Sequence, residues 1–266
     1  MRCKLSAYLR LVMFSHTLFS LPYGICALLL IKPRPQRVFL ILLALLAART
    51  LANALNRMLD LKFDRLNSRT ADRPLCKGEI SQGDTLVFSA VCAAVLFLAV
   101  LLLEAQLVFL LPFAIFLFAF YALTKRFTAA CHFVLGGVCA LSVVGTCMAC
   151  GRPVIWPLAA ACAFSVAGFD ILYAIEDIDF DRAFMLHSVP ASCGARYSVL
   201  LAALCFFGSA ACIGTVLEIA GLCLYTVFCV ALILAFAGAY RAAAYHMNRV
   251  AGVIILSVFG IHFIMS

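Results

Sequence analysis

Nine apolar runs, most of them close to the roughly 20 residues that carry a helix across a bilayer, constrain this chain more than any other feature. They fall at 11–31, 38–57, 84–103, 105–123, 129–150, 154–175, 197–217, 219–239 and 247–265. The chain has 12% charged residues, against about 25% in soluble domains. This excludes a soluble globular protein, a disordered chain and a nucleic-acid-binding module. The expected fold is all-α: a polytopic membrane protein with nine transmembrane helices, forming one integral-membrane domain over 1–266. The breaks at Glu104, Glu218 and Arg152-Pro153 are short, as tight hairpins between spans require.

Fourteen cysteines would point to a disulfide scaffold in a short secreted chain. Most of them lie inside the apolar runs, where Cys acts as a small hydrophobe. Cys147-Met-Ala-Cys150 has a redox-like spacing, but it lacks His or acidic neighbours and reads as core packing. Arg2, Lys4 and Arg10 before an apolar run imitate a signal peptide. With no small-residue cleavage site before Lys32, the segment reads as a retained first helix.

Charge then sets the orientation. With the N-terminus in the cytoplasm, fifteen Lys and Arg fall on the cytoplasmic side. Only Lys32, Arg34, Arg37 and Arg152 fall opposite, and Arg49 stays within a helix. That asymmetry follows the positive-inside rule, so the net charge of +8 needs no nucleic-acid partner. The acids are more uneven still. Ten of twelve lie in two cytoplasmic segments: Asp60, Asp64, Asp72, Glu79 and Asp84, then Asp170, Glu176, Asp177, Asp179 and Asp181. A solubilising surface would scatter them.

In the first segment Arg49, Asn53, Asn56, Asp60 and Asp64 step by three or four, which places them on one helical stripe. Polar groups at a membrane helix end usually face the bundle interior or a wet cavity, and Asn53 is a candidate substrate contact. In the second segment Asp170, Tyr173, Asp177 and Asp181 keep the same step. Both segments thus carry Asp-x-x-x-Asp at a cytoplasmic helix end. Mg²⁺ favours one or two carboxylates together with substrate phosphates, and two such pairs facing each other could hold two cations against one diphosphate. A solvated helix end is the plainer reading of either pair alone. Arg69, Arg73, Lys125 and Arg126 lie on the same side. Guanidinium groups bind phosphate bidentately and Lys acts as a point charge. For Lys125-Arg126 alone, simple membrane anchoring is the competing reading. Acids together with phosphate-binding bases point to a metal–diphosphate site.

These residues resemble the UbiA superfamily of intramembrane prenyltransferases. The likeness rests on Asn56-Arg-Met-Leu-Asp60-Leu-Lys-Phe-Asp64, Asn67-Ser-Arg69-Thr-Ala-Asp-Arg73-Pro, Tyr121-Ala-Leu-Thr-Lys125-Arg126 and Asp170-Ile-Leu-Tyr173-Ala-Ile-Glu-Asp177-Ile-Asp-Phe-Asp181. It implies nine helices around a central cavity, Mg²⁺, a polyprenyl diphosphate donor and an aromatic acid acceptor. By position it implies that Asn56, Asp60, Asp64, Asp177 and Asp181 hold Mg²⁺–diphosphate. Arg69, Arg73, Lys125 and Arg126 would neutralise the phosphates, Tyr121 and Tyr173 would line the reacting carbon, and Arg49 would meet the acceptor carboxylate. Asp170 is a candidate base for the ring proton. Arg57 stands where many members have Asp. The Asn-Arg-x-x-Asp subgroup resembles the bacterial 4-hydroxybenzoate polyprenyltransferase-like branch, part of which is associated with menaquinone synthesis through 1,4-dihydroxy-6-naphthoate. The implied setting is the bacterial inner membrane, with the site facing the cytoplasm and no obligate protein partner.

Two rivals follow from the same residues. A cation exchanger or carrier also pairs acids within a membrane bundle, but Arg69, Arg73 and Lys125 would repel its cargo. A CDP-alcohol phosphotransferase would need an Asp-Gly-x-x-Ala-Arg block, which this chain lacks. His16, His132, His246 and His262 read as structural, and of the five histidines His187, just after the second motif, lies nearest the candidate site in sequence.

Overall fold

The structure, a computed structural model, describes residues 4–12, 21–236 and 238–265. Arg2, His16 and residues 13–20 of the first apolar run lie outside the described residues, as do the side chains of Arg241, His246 and Arg249. The helices are α1 Lys4–Leu11, α2 Leu21–Ile31, α3 Pro35–Leu59, α4 Leu61–Leu66, α5 Gln82–Leu103 and α6 Leu111–Thr124. They continue as α7 Cys131–Ala149, α8 Trp156–Ala174, α9 Ile178–Ala183, α10 Val189–Gly214, α11 Glu218–Phe236 and α12 Tyr240–Met265. Short 3₁₀ turns at Ala105–Leu110 and Ile175–Asp177 precede α6 and α9. There is no strand among the described residues.

Seven stretches among the described residues are long and apolar enough to cross a membrane, and Leu21–Ile31 and Gly252–Met265 are shorter apolar helices. The chain is therefore an integral membrane protein, with seven full-length candidate spans where nine runs were expected. The long helices begin where local chemistry predicts. Pro35 sits in the first turn of α3, where a missing N–H costs nothing. Ser81 and Asp84 close a capping box at the start of α5. Asp84, grouped with the first acidic segment above, is thus a helix cap. Ser188 caps a first short turn from Val189 with Pro190 in it, and Gly194, at φ 81° and ψ 169°, breaks the helix just before the run expected at 197–217.

The chain divides into two compact units, Met1–Leu18 with Arg34–Leu123, and Phe19–Pro33 with Thr124–Ser266. In the first unit α3 packs along α5. A small cluster of Ala7, Leu11, Leu61, Leu75 and Ile80 pins the 67–80 loop against α1 and α4. An Arg10–Glu79 ion pair and a Tyr8–Phe88 ring contact support it. The second unit is built around α8, which packs on α2, α7, α10 and α12. Helix α8 and its extension have the largest share of buried residues, 67% over the apolar stretch, against 44% for α7 and for α10. Helix α7 approaches α8 so closely that a Cβ on Gly136 would lie 2.3 Å from the Ala163 carbonyl oxygen.

Candidate active site: two acidic helix ends

In the first unit the expected single helical stripe is bent. Helix α3 stops at Leu59 and α4 begins at Leu61, with Asp60 between them at φ −93°, ψ 2°. This bridge conformation is frequent at active-site residues. The four-residue spacing survives through backbone bonds, with Asp60 N donating to Asn56 O at 3.0 Å and Asp64 N to Asp60 O at 2.8 Å. Asn56 Nδ2 also donates to Asp60 Oδ2 at 3.0 Å. Asn53 is buried, and its amide donates to the Val12 carbonyl at 2.7 Å, tying α3 to the end of α1. Arg49 lies half-buried one turn before it.

Asp64 is 8% exposed, a placement that is costly for a carboxylate without compensation. Two guanidinium groups supply it. Arg73 Nη1 reaches both carboxylate oxygens at 2.5 Å, and Arg57 Nη1 reaches Oδ2 at 3.3 Å. Arg57 also donates to Asn56 Oδ1. Arg73 reaches Asp64 because the intervening loop folds back. Thr70, itself buried, donates its hydroxyl to the Asp64 carbonyl at 2.8 Å, and Asn67 Oδ1 accepts from Arg69 N at 2.9 Å. Beyond Arg73, Lys77 holds the Asp72 carboxyl below the usual carboxylate range. Tyr121 lies half-buried near the end of α6 in this unit.

The second unit carries the other acidic end. Here too the expected helical run is interrupted: α8 ends at Ala174, a 3₁₀ turn spans Ile175–Asp177, and α9 resumes at Ile178. Asp177 and Asp181 are buried, whereas Glu176 and Asp179 are exposed. The interruption therefore sorts the four acids into two inward and two outward. Asp181 is fully buried, with Lys125 Nζ 2.8 Å from Oδ1 and the Ser188 hydroxyl donating to Oδ2 at 2.8 Å. Burial disfavours the Lys125 ammonium, but Asp181, Asp177 and Asp170 outweigh it and hold its pKa above the ordinary lysine value. Arg126 is exposed beside it, and Tyr173 stacks on Phe169 at 6.1 Å.

Two further residues meet this acidic end. His132, read as structural, sets its Nδ1 2.7 Å from Asp170 Oδ2. Ser188 was visible in principle, since Ser-Val-Pro before an apolar run is a helix-start signal. Its second bond, to Asp181, was not. His187, the histidine nearest the site in sequence, has an exposed side chain and meets Lys125 only through the backbone, its N–H donating to the Lys125 carbonyl at 2.7 Å.

Among the described residues no three His, Cys, Asp or Glu side chains lie close enough to hold a metal ion by themselves. Each acidic end instead offers an all-oxygen donor set of two carboxylates, joined by an Asn in the first unit. That set fits Mg²⁺ completed by phosphate and water, and does not fit a soft metal.

The UbiA prenyltransferase family model matches residues 17–257. Among curated proteins, a 4-hydroxybenzoate octaprenyltransferase of Burkholderia mallei is 31% identical over 177 residues, 65% of this chain and 61% of the relative. The B. vietnamiensis protein of the same name is 31% identical over 182 residues, 66% of this chain and 61% of the relative. The match thus spans about three fifths of the length of these relatives. Among solved structures, a UbiA homologue from Aeropyrum pernix K1 superposes with a TM-score of 0.86 at 28% identity, covering 93% of this chain and 98% of its own. A UbiA homologue from Archaeoglobus fulgidus, bound to GPP and Mg²⁺, superposes with a TM-score of 0.74 at 17% identity, covering 98% and 100%, and shares the fold.

Proposed function

Since this chain belongs to the UbiA prenyltransferase family, we propose that it transfers a polyprenyl group from polyprenyl diphosphate to an aromatic acid, 4-hydroxybenzoate or 1,4-dihydroxy-6-naphthoate, in quinone biosynthesis. The observation that carries this reading is the pairing of buried carboxylates with cations at both acidic helix ends. Asp64 is held by Arg57 and Arg73, and Asp181 by Lys125. These are the two partner types a metal–diphosphate head requires. The relatives' names and the GPP and Mg²⁺ bound by the A. fulgidus homologue agree with it.

In the proposed site Asn56, Asp60, Asp64, Asp177 and Asp181 hold Mg²⁺, which when bound would neutralise the diphosphate as it leaves. Arg69, Arg73, Lys125 and Arg126 bind phosphate oxygens and stabilise the same charge. Arg73 and Lys125, paired with Asp64 and Asp181, are the cations that would turn to the phosphates were those carboxylates to hold the metal. Tyr121 and Tyr173 present ring faces to the allylic fragment as it becomes cation-like. Arg49 and Asn53 receive the acceptor, whose ring carbon attacks the prenyl carbon and then loses its proton to Asp170. The proposed arrangement is one prenyltransferase domain over 1–266, crossing the bacterial inner membrane nine times with the N-terminus and the site on the cytoplasmic side. No protein partner is required.

The test offers purified protein labelled geranyl diphosphate with each acceptor, with Mg²⁺ and then with EDTA. We expect Mg²⁺-dependent prenylation of one acceptor, abolished in Asp60→Ala and Asp177→Ala variants that remain folded. Full activity in both variants would refute the metal assignment. Cation flux in liposomes without donor, and no transfer, would favour a carrier.

A further inference from the structure

We propose that His132 is a positioning residue for Asp170, holding that carboxylate in place to accept the ring proton. The inference rests on the transferase reading above. It starts from an asymmetry within one pair. The His132 side chain is 2% exposed, that of Asp170 is 30% exposed, and Nδ1 meets Oδ2 at 2.7 Å. The imidazole therefore backs the carboxylate from the core side and leaves its other side open.

The backbone decides which nitrogen of His132 carries hydrogen. The Val189 N–H donates to Nε2 at 3.3 Å. An N–H directed at Nε2 needs a lone pair there, so the hydrogen sits on Nδ1 and is donated to Asp170. A doubly protonated ring would set two N–H groups against each other. His132 is thus a neutral ring whose donor faces the carboxylate and whose acceptor is occupied by the backbone. It orients Asp170, and it has no free nitrogen with which to take the ring proton itself.

Val189 also links this pair to the metal end. It follows Ser188, which caps α10 by accepting from Ala191 N at 3.2 Å and donates to Asp181 at 2.8 Å. Asp181 in turn pairs with Lys125. Two successive residues of one helix start, Ser188 and Val189, therefore meet both the ring that holds Asp170 and the carboxylate of Asp181. In the reaction, the bond from the acceptor carbon to the prenyl carbon forms as the prenyl C–O bond to diphosphate breaks. The C–H bond on that ring carbon then breaks, its electron pair restores the aromatic system, and the proton passes to Asp170 Oδ1 and later to water.

Two near-isosteric variants separate positioning from mere structural support. His132→Asn keeps an amide N–H near Nδ1 and so keeps the donor to Asp170. His132→Gln places its amide near Nε2 and leaves Asp170 without a donor. Full-length protein in detergent is assayed with geranyl diphosphate, Mg²⁺ and the acceptor that wild type turns over, deuterated at the alkylated carbon, and each variant's melting temperature is measured. We expect His132→Gln to lose about tenfold or more in kcat, with KM for geranyl diphosphate within about twofold and the ring isotope effect rising from near one to about two. His132→Asn keeps most of kcat and an isotope effect near one. A His132→Gln variant with wild-type kcat and isotope effect overturns the inference. So do Asn and Gln variants that lose kcat in parallel with melting temperature and show no isotope effect. If His132→Gln fails to fold, Asp170→Asn carries the same readout, and unchanged turnover and isotope effect there overturn the inference. An inactive wild type would overturn the transferase reading, and this inference with it, whereas an active wild type indifferent to these substitutions overturns this inference alone.

Discussion

A carboxylate as buried as Asp181 is tolerated only with a cation beside it, and Lys125 is that cation. Removing Lys125 alone leaves an uncompensated charge. Breaking a fully buried pair costs roughly 3–5 kcal/mol. Lys125 is one third exposed, so water recovers part of that. We expect Lys125→Met to lower the melting temperature clearly, and Lys125→Met with Asp181→Asn to regain most of the loss because no charge is left stranded. A double variant no more stable than the single would show that the pair does not act as a unit. The Asp-x-x-x-Asp spacing and the nearby bases were legible in the sequence because spacing along a helix is local. Their partners were less legible. Arg73 and Lys125, expected on phosphate, are found on Asp64 and Asp181, because a buried carboxylate needs a cation beside it.

Both acidic helix ends are interrupted, at Asp60 and at 175–177, whereas a helical step of four had implied continuous stripes. Asp competes for local hydrogen bonds outside regular helix, and the interruption in the second unit turns Asp177 and Asp181 inward while Glu176 and Asp179 face out. The loop after α4 depends on a small apolar cluster. Leu75 is 3% exposed, and Leu75→Ala should destabilise the first unit by roughly 2–5 kcal/mol. Trypsin should then cut between Arg69 and Lys77 faster than in wild type; an unchanged cleavage rate would mean that the loop is held by its ion pairs alone. In the second unit Gly136 allows the close α7–α8 approach. Gly136→Val should cost about 1–3 kcal/mol as the backbones are forced apart, read as a lowered melting temperature. A melting temperature equal to wild type would show that the helix pair can shift freely.

For the whole molecule, an odd number of crossings from a cytoplasmic N-terminus places the C-terminus outside. Alkaline phosphatase fused after Ser266 should therefore be active and a fluorescent protein dark; the reverse pattern would exclude nine crossings with this orientation. What the sequence determined by itself was the all-helical membrane class, the tight hairpins and the two acid-bearing helix ends. These depend on apolar length, charge clustering and four-residue spacing, all of which operate between neighbours in the chain. Only the tertiary structure decided that Asp64 takes Arg73, that Asp181 takes Lys125 and Ser188, and that His132 meets Asp170 from 38 residues away. Those pairings depend on how loops fold back and how α7, α8 and α10 pack. Close packing brings together side chains whose separation along the chain says nothing of their distance in space.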